Sequence, residues 1–477
     1  MALDELERRV RREFDTFAYP EREWVIGRHS PIGHVHDVVI VGGGMAGIAT
    51  AIGLRRERIT NVLVVDRNPA GREGPWMTFA RMLTLRTVKN LTGPDADIDS
   101  LTFRAWHEAQ FGAEAYERIH LIDKGQWMDY LVWLRRIAQV PVENEVVVED
   151  IAPAAGLLRL TVTRHGEPGT LLARRCVLAN GYEGQGAPRI PDFADRLPRR
   201  YWAHTSDPID FAALKAKRVG VLGAGASAFD NSAVALEAGA SEVVQCVRRA
   251  ALPTVNWMRY AEFAGYFRGF PELDDARRIR FTRRIFELPT PPPQDTLARV
   301  LRHANYALRL GAAWNDARVE DERVRVDTAR GVESFDFLIF GTGYEIDLAL
   351  RPELQTVLPT LTMMRDRVHL GGDPASAGIG RQPFLGPGFE CIPRPGAAPE
   401  VAHLYVLGPA ALVSHGPICV GVNGMAFAIP RIVHALSRSF FAEDADRYHA
   451  QFMAFAEPEL ILAPAFGKPC SAGPADA

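Results

Sequence analysis

An α/β protein of two dinucleotide-binding, Rossmann-like domains is the fold class this sequence predicts, and three observations predict it. Residues 36–66 read HDVVIVGGGMAGIATAIGLRRERITNVLVVD: an apolar strand, Gly42, Gly44 and Gly47 in G-x-G-x-x-G spacing, a small-residue helix, and a second apolar strand ending on Asp66. Residues 218–249 repeat the unit, with Gly223 and Gly225 in place and Ala228 at the third glycine position, which the motif tolerates. Two further apolar strands run into glycine turns, VLANG at 177–181 and FGTGY at 340–344, as a chain needs in order to leave one sheet and enter another.

Each position of the first unit has a physical task. Gly42 permits the tight turn out of the strand, Gly44 lets the backbone approach a pyrophosphate, and Gly47 lets the helix lie close to the sheet, with the phosphates facing the helix N-terminus. Asp66 can accept hydrogen bonds from ribose hydroxyls, so this site is read as binding FAD, with Arg67 and Trp76 assigned to the same cofactor. In the second unit Ser227 opens the helix, and the second strand ends on Arg248 and Arg249 where the first ended on an acid. A guanidinium suits a 2′-phosphate that a carboxylate would repel, so the second site is read as binding NADPH; a solvated strand end is the competing account of the arginines.

Composition narrows the function. With 477 residues the chain can hold two to three domains. A formal net charge of −3 leaves no basic excess for coating a nucleic acid. No membrane span is expected: the apolar stretch at 38–54 is the glycine unit itself, and the one at 404–429 is broken by His415, Asn423 and several glycines. Leu3, Leu6, Val10, Phe14 and Phe17 recur at helical spacing among charges of both signs, which predicts an amphipathic helix over 3–18 packed on the body rather than a signal peptide. A cytoplasmic enzyme is expected. The five cysteines (Cys176, Cys246, Cys391, Cys419, Cys470) form no C-x-x-C pair, which excludes a local redox dithiol of the kind a disulfide reductase needs.

In chain order, residues 1–35 form an N-terminal helical extension, 36–195 and 335–477 the FAD-binding domain, and 196–334 an NADPH-binding domain with an aromatic-rich insertion at 250–318. The irregular, Gly- and Pro-rich segment after Asp66 has no period and is expected to line a site. Trp76, Arg86 and Lys89 are expected near the flavin ring, where a cation stabilises reduced flavin or orients an acid; a structural ion pair is an equal alternative for each. A helix near 126–138 leads to strands at 145–148, 158–162 and 171–178, the last two alternating as a small antiparallel sheet. Trp257, Tyr260, Phe263, Tyr266, Phe267 and Phe270 cluster either as a pocket wall or as plain core. Near the end, LYVLG closes a strand at Gly408, and a glycine-rich loop with His415 leads to a helix starting near Asn423, whose N-terminus can stabilise negative charge on the flavin. His415 is expected either to donate to substrate or flavin, or to cap the loop.

Taken together these residues resemble the class B flavoprotein monooxygenases, which include flavin-containing monooxygenases, Baeyer–Villiger monooxygenases and ornithine or lysine N-hydroxylases. The resemblance covers about residues 36–435 and rests on Gly42/Gly44/Gly47, Gly223/Gly225/Ala228 with Ser227, the linkers 179–181 and Thr342-Gly343-Tyr344, and the LYVLG strand. His204 resembles the histidine of the family's F-x-G-x-x-x-H sequence, although Pro198 and Arg200 stand in the Phe and Gly positions. The TLRT segment around Arg86 is more similar to the N-hydroxylases. The resemblance implies a glutathione-reductase-like architecture with the NADPH domain inserted into the FAD domain. It also implies a monooxygenase that uses NADPH, FAD and O2 to insert one oxygen atom into a small organic substrate through a C4a-(hydro)peroxyflavin, at nitrogen by preference. Arg86, His415 and Asn423 are then the residues expected at the reaction. Baeyer–Villiger or sulfur oxygenation is the nearest alternative, and a flavin reductase or oxidase passing electrons to a partner is the alternative of another class. Self-association of the chain is left open.

Overall fold

The computed structural model describes residues 3–16, 22–90 and 93–460. Phe17, the first residues of the segment leading to the first strand (19–21) and Cys470, all named above, lie outside these residues. Helix α1 (Leu3–Thr16) buries Leu6 and Val10 and packs on the body as its amphipathic spacing predicts. Its Glu7 is buried too, accepting from Trp133 Nε1 at 3.3 Å and pairing with Arg136, and the Arg136 contact holds its carboxyl below the usual range.

Strand β1 (Gly33–Val41), helix α2 (Met45–Arg56) and strand β2 (Val62–Asp66) make the first nucleotide unit. Val38, Val39 and Ile40 are fully buried, as expected of a parallel strand covered on both faces. After β3 (Thr84–Val88) and α3 (Lys124–Ile137), strands β4 (Val142–Asn144), β5 (Val146–Ala154), β6 (Leu157–Arg164) and β7 (Glu167–Leu178) complete a sheet of order β4-β2-β1-β7-β6-β5. Strand β7 is the hub. Its first half runs antiparallel to β6, while its second half runs parallel to β1 on one edge and to a strand at Leu404–Val406 on the other. Arg174 on β7 is fully buried. It pairs with Asp37 (3.2 Å), Glu443 (3.1 Å) and Asp444 (2.7 Å) and donates to the Ile26 carbonyl, tying the sheet to the C-terminal helices.

The second sheet is wholly parallel, of order β8 (Trp202–His204), β15 (Phe337–Phe340), β9 (Arg218–Leu222), β10 (Glu242–Val247) and β11 (Tyr306–Leu310), with α4 (Ala226–Glu237) between β9 and β10. Helices α5 (Trp257–Ala261), α6 (Asp275–Glu287) and α7 (Gln294–Leu301) precede β11, and β12 (Trp314–Glu320), β13 (Arg323–Thr328) and β14 (Gly331–Phe335) form a small antiparallel sheet after it. Two boundaries differ from expectation. Residues 337–340 were assigned to the returning FAD half, yet Leu338 pairs with Gly220 and Trp202, because a short apolar run buried on both faces carries no mark of which sheet it will join. The segment 250–318 likewise contains β11, an edge strand of the second sheet, and runs into β12, so only its part up to Leu301 is a helical insertion. The chain returns to the first sheet at β16 (Leu404–Val406) and finishes with α8 (Met425–Glu443) and α9 (Ala445–Ala454). Helix α8 lies hard against α2: a Cβ on Gly53 would come within 2.7 Å of Val433. No single helix among the described residues is long and apolar enough to cross a membrane.

Candidate active site

The two glycine units end in matching cradles. Gly42 has φ +111°, and a Cβ there would meet the Ala179 carbonyl oxygen at 2.6 Å; a Cβ on Gly47 would meet the Gly42 carbonyl oxygen at 1.9 Å. Gly44 is different, for its Cβ would find nothing nearer than 3.8 Å. It is the N-cap of α2 and supplies no side-chain cap, so the first-turn N–H groups face open space. The second unit repeats this: a Cβ on Gly223 would meet the Gly341 carbonyl oxygen at 2.2 Å, whereas Gly225, the uncapped N-cap of α4, has nothing within 4 Å. Ala228 at the third position is matched by Gly341, whose Cβ would come within 2.5 Å of the alanine methyl. Elsewhere α3 and α6 begin on Asp123 and Asp274, whose carboxylates cap them. Two uncapped helix N-termini with room in front of them fit two pyrophosphates.

Asp66 is buried at the end of β2, accepting from the Gly43 and Asn68 N–H groups at 2.8 Å each, and burial raises its carboxyl pKa. Each carboxylate oxygen keeps a lone pair for a ribose hydroxyl. Beside it stands Glu73, which sequence reasoning missed: it is buried, paired with Arg135 at 2.5 Å, and accepts from Asn144 (2.7 Å) and Gly71 N–H (2.9 Å). Arg67, next along the chain, pairs with Glu183 at 2.9 Å and stays about half exposed. At the end of β10, Arg248 and Arg249 are exposed and pair with no carboxylate among the described residues, whereas Ser227 is exposed in the first turn of α4. That fits a 2′-phosphate at this strand end.

The linkers meet between the sheets. The Thr342 hydroxyl donates to the Arg189 carbonyl, Gly343 turns with φ +78° and accepts from Arg189 N–H at 2.9 Å, and Tyr344 stands edge-on to His204 at 5.9 Å. His204 is buried, with Nδ1 2.7 Å from the Ser206 hydroxyl, and burial lowers its pKa. Gly408 leaves room for Gln185, a second missed residue: buried, it donates to the Leu178 carbonyl (3.1 Å) and accepts from Ala410 N–H (2.9 Å), joining the ends of β7 and β16.

Around the expected flavin ring, Trp76 is half-buried and edge-on to Trp127 at 6.2 Å. Arg86 on β3 reaches the inserted half, donating to the Pro291 carbonyl at 2.7 Å. Lys89 is consumed by the Tyr116 and Glu117 carbonyls and by the Tyr116 ring. His415 is fully buried, stacked on Phe389 at 3.8 Å, with Nε2 3.1 Å from the Gly386 carbonyl; burial pushes its pKa down to about 3. Such a ring supports its loop, the second of its two expected roles, while its Nδ1 has no partner among the described residues. Asn423 lies in the turn before α8 and donates from Nδ2 to Glu262 at 3.0 Å. The aromatic cluster divides: Phe267 and Phe270 are core, packed on Phe427 and Gly416, whereas Tyr260 and Phe263 are exposed. With Arg278 donating to the Ser414 carbonyl at 2.9 Å, the insertion is docked on the 412–431 segment.

The pattern of a family described as pyridine nucleotide-disulphide oxidoreductase matches residues 39–256. Among solved structures, the ornithine N-hydroxylase of Kutzneria sp. 744 superposes with a TM-score of 0.67 at 16% identity, and the L-lysine 6-monooxygenase of Pseudomonas syringae with 0.65 at 21%. Each match covers 85% of this chain and 99% of the other. Along the sequence, the chain is 41% identical to the FAD-dependent urate hydroxylase of Xanthomonas campestris pv. campestris over 97% of its own length and 98% of that protein. The chain belongs to the same family as that FAD-dependent hydroxylase, on the fold shared by the N-hydroxylating flavin monooxygenases. It is a flavin-dependent oxidoreductase, and the two cradles above have the residue set that FAD and a second dinucleotide require. The match to a disulphide-oxidoreductase pattern reflects scaffold. Among the described residues the cysteines of this enzyme are buried, scattered and unpaired, and burial raises the Cys176 thiol to about 12.

Proposed function

We propose that the chain hydroxylates urate, or a closely similar oxidised purine, at the expense of NADPH and O2. The observation that carries this reading is the likeness to a urate hydroxylase, 41% identical over 97% of this chain and 98% of that protein. Overall, substrate, O2, NADPH and a proton give hydroxylated substrate, NADP⁺ and water, so the electrons balance without a dithiol. FAD and NADPH, when bound, supply the two electrons and the centre at which O2 reacts.

The chain's own residues bind, orient and exclude water. The α2 N-terminus and Asp66 hold one dinucleotide, with Glu73 and Asn144 stiffening the Asp66 corner. The α4 N-terminus with Arg248 and Arg249 holds the other and selects the 2′-phosphate. The docked insertion covers the 412–425 segment and keeps water from the reacting centre. Chemistry of this kind depends on positioning and desolvation.

N-hydroxylation of an amine is the second reading, favoured by the fold likeness to an ornithine N-hydroxylase and a lysine 6-monooxygenase. One experiment separates them: follow NADPH and the ultraviolet band of urate together, with ornithine and lysine as parallel substrates. Loss of urate in step with NADPH supports urate hydroxylation, and a hydroxylamine product with urate untouched supports N-hydroxylation. NADPH consumption matched by hydrogen peroxide alone would refute both and leave an oxidase.

A further inference from the structure

Asn423 is anchored on one side and open on the other. Its Nδ2 donates to Glu262, which belongs to the insertion, immediately after α5. Its Oδ1 accepts no hydrogen bond from any described residue. The missing side chain of Gly421 keeps that oxygen uncovered: a Cβ at 421 would lie 2.7 Å from Oδ1, and Met258 of α5 ends 3.8 Å from the same spot. The oxygen thus sits in a notch between α5 and the turn that starts α8. The neighbouring Val422 leads toward the flavin wall, for a Cβ on Gly93 would touch Val422 at 3.1 Å and Trp127 at 3.4 Å. An amide whose N–H side is held by a carboxylate cannot flip, because Glu262 can only accept. What it offers the notch is therefore always an acceptor.

We propose that Glu262 is a positioning residue which fixes the Asn423 amide so that Oδ1 accepts an N–H from the edge of a lactam-type heterocyclic substrate. This rests on the urate reading, since urate carries such N–H groups and an aliphatic amine has no ring edge to read. It also gives the insertion a task in specificity: the segment that closes over the site carries the group that orients the acceptor.

The test is equilibrium binding of urate to the oxidised FAD-loaded enzyme without NADPH, followed by the change in flavin absorbance. Glu262→Ala, Asn423→Ala and Gly421→Ala are each expected to weaken urate about tenfold, the scale of one hydrogen bond to a buried partner. Gly421→Ala leaves the Glu262 contact intact and covers Oδ1 instead, so it carries the test where Glu262→Ala costs FAD or fold. Glu262→Gln keeps an acceptor oxygen and is expected to recover most of the affinity. The double variant Glu262→Ala/Asn423→Ala is expected to bind no more weakly than Asn423→Ala alone, the coupling that a merely structural role would not produce. Unchanged affinity in Gly421→Ala and Glu262→Ala, or losses that multiply in the double variant, would overturn the proposal. A parent enzyme that shows no urate response refutes the urate reading itself, and this proposal with it, whereas a parent that binds alongside indifferent variants refutes this proposal alone.

Discussion

Alanine at Gly42, Gly44 and Gly47 separates what the fold requires from what the cofactor requires. At Gly47 the new methyl would sit 1.9 Å from the Gly42 carbonyl oxygen, so α2 must lift off the end of β1. Overpacking of that kind costs about 1–3 kcal/mol with or without FAD. Gly42 adds a φ of +111° to a 2.6 Å clash, so its substitution costs at least as much. Gly44 has φ −73° and only ordinary contacts at 3.8 Å. A poorer N-cap and a stiffer unfolded chain nearly cancel there, leaving a change within about 0.5 kcal/mol. Its methyl would nevertheless stand where a pyrophosphate approaches the helix, and the same overpacking scale predicts FAD affinity reduced about 5- to 150-fold. Urea unfolding of the deflavinated proteins measures the first effect, and FAD titration by fluorescence quenching the second. The reasoning is refuted if deflavinated Gly44→Ala is as unstable as Gly47→Ala, or if it binds FAD as tightly as the parent.

Three further outcomes are expected. Arg248→Ala/Arg249→Ala should raise the KM for NADPH about 10- to 100-fold, the scale of lost charge-assisted phosphate contacts, and leave that for NADH within about twofold; equal losses would remove the 2′-phosphate role. Asp230, buried in α4 beside the Thr296 hydroxyl at 3.2 Å, has its carboxyl pushed up to about 6 by burial. The folded protein therefore holds this proton more tightly than the unfolded chain, so stability falls as pH rises from about 4 to about 6, by up to about 3 kcal/mol. Asp230→Asn should flatten that slope and gain most above pH 6, which unfolding midpoints across pH would reveal, and an unchanged slope would contradict it. Arg174→Ala would strand Asp37 and Asp444 without their buried partner and should cost about 3–5 kcal/mol in denaturant unfolding, against less than about 1 kcal/mol for exposed Arg9→Ala.

The legible part of the molecule was whatever the backbone itself dictates. Glycines 42, 47 and 223 stand where a Cβ would strike a carbonyl oxygen, so the need for them is written locally in the chain. Alternation and apolar runs likewise announced the strands that meet in β7. Glu73, Gln185 and Glu262 were invisible for the opposite reason: each is a single polar residue in an irregular segment, and each is satisfied by partners far along the chain, such as Ala410 for Gln185. No period or motif marks such a residue. The burial of His415 against Phe389 and the pairing of Arg67 with Glu183 are long-range facts of the same kind. The boundary near 335 failed for a related reason, since partner choice for Phe337–Phe340 depends on β8 and β9, not on its own four residues.

The hub strand has a consequence for how the protein is made. Cys176, Val177 and Leu178 wait for Leu404, Tyr405 and Val406, and Arg174 waits for Glu443 and Asp444. A nascent chain emerging from the ribosome therefore carries an unfinished apolar sheet edge throughout synthesis of everything between. The second sheet draws only on residues 202–340 and can close first. Translation pauses or truncations between 340 and 440 would then leave one nucleotide unit complete and the other exposing a strand, which is a defined target for chaperones and a defined route to aggregation.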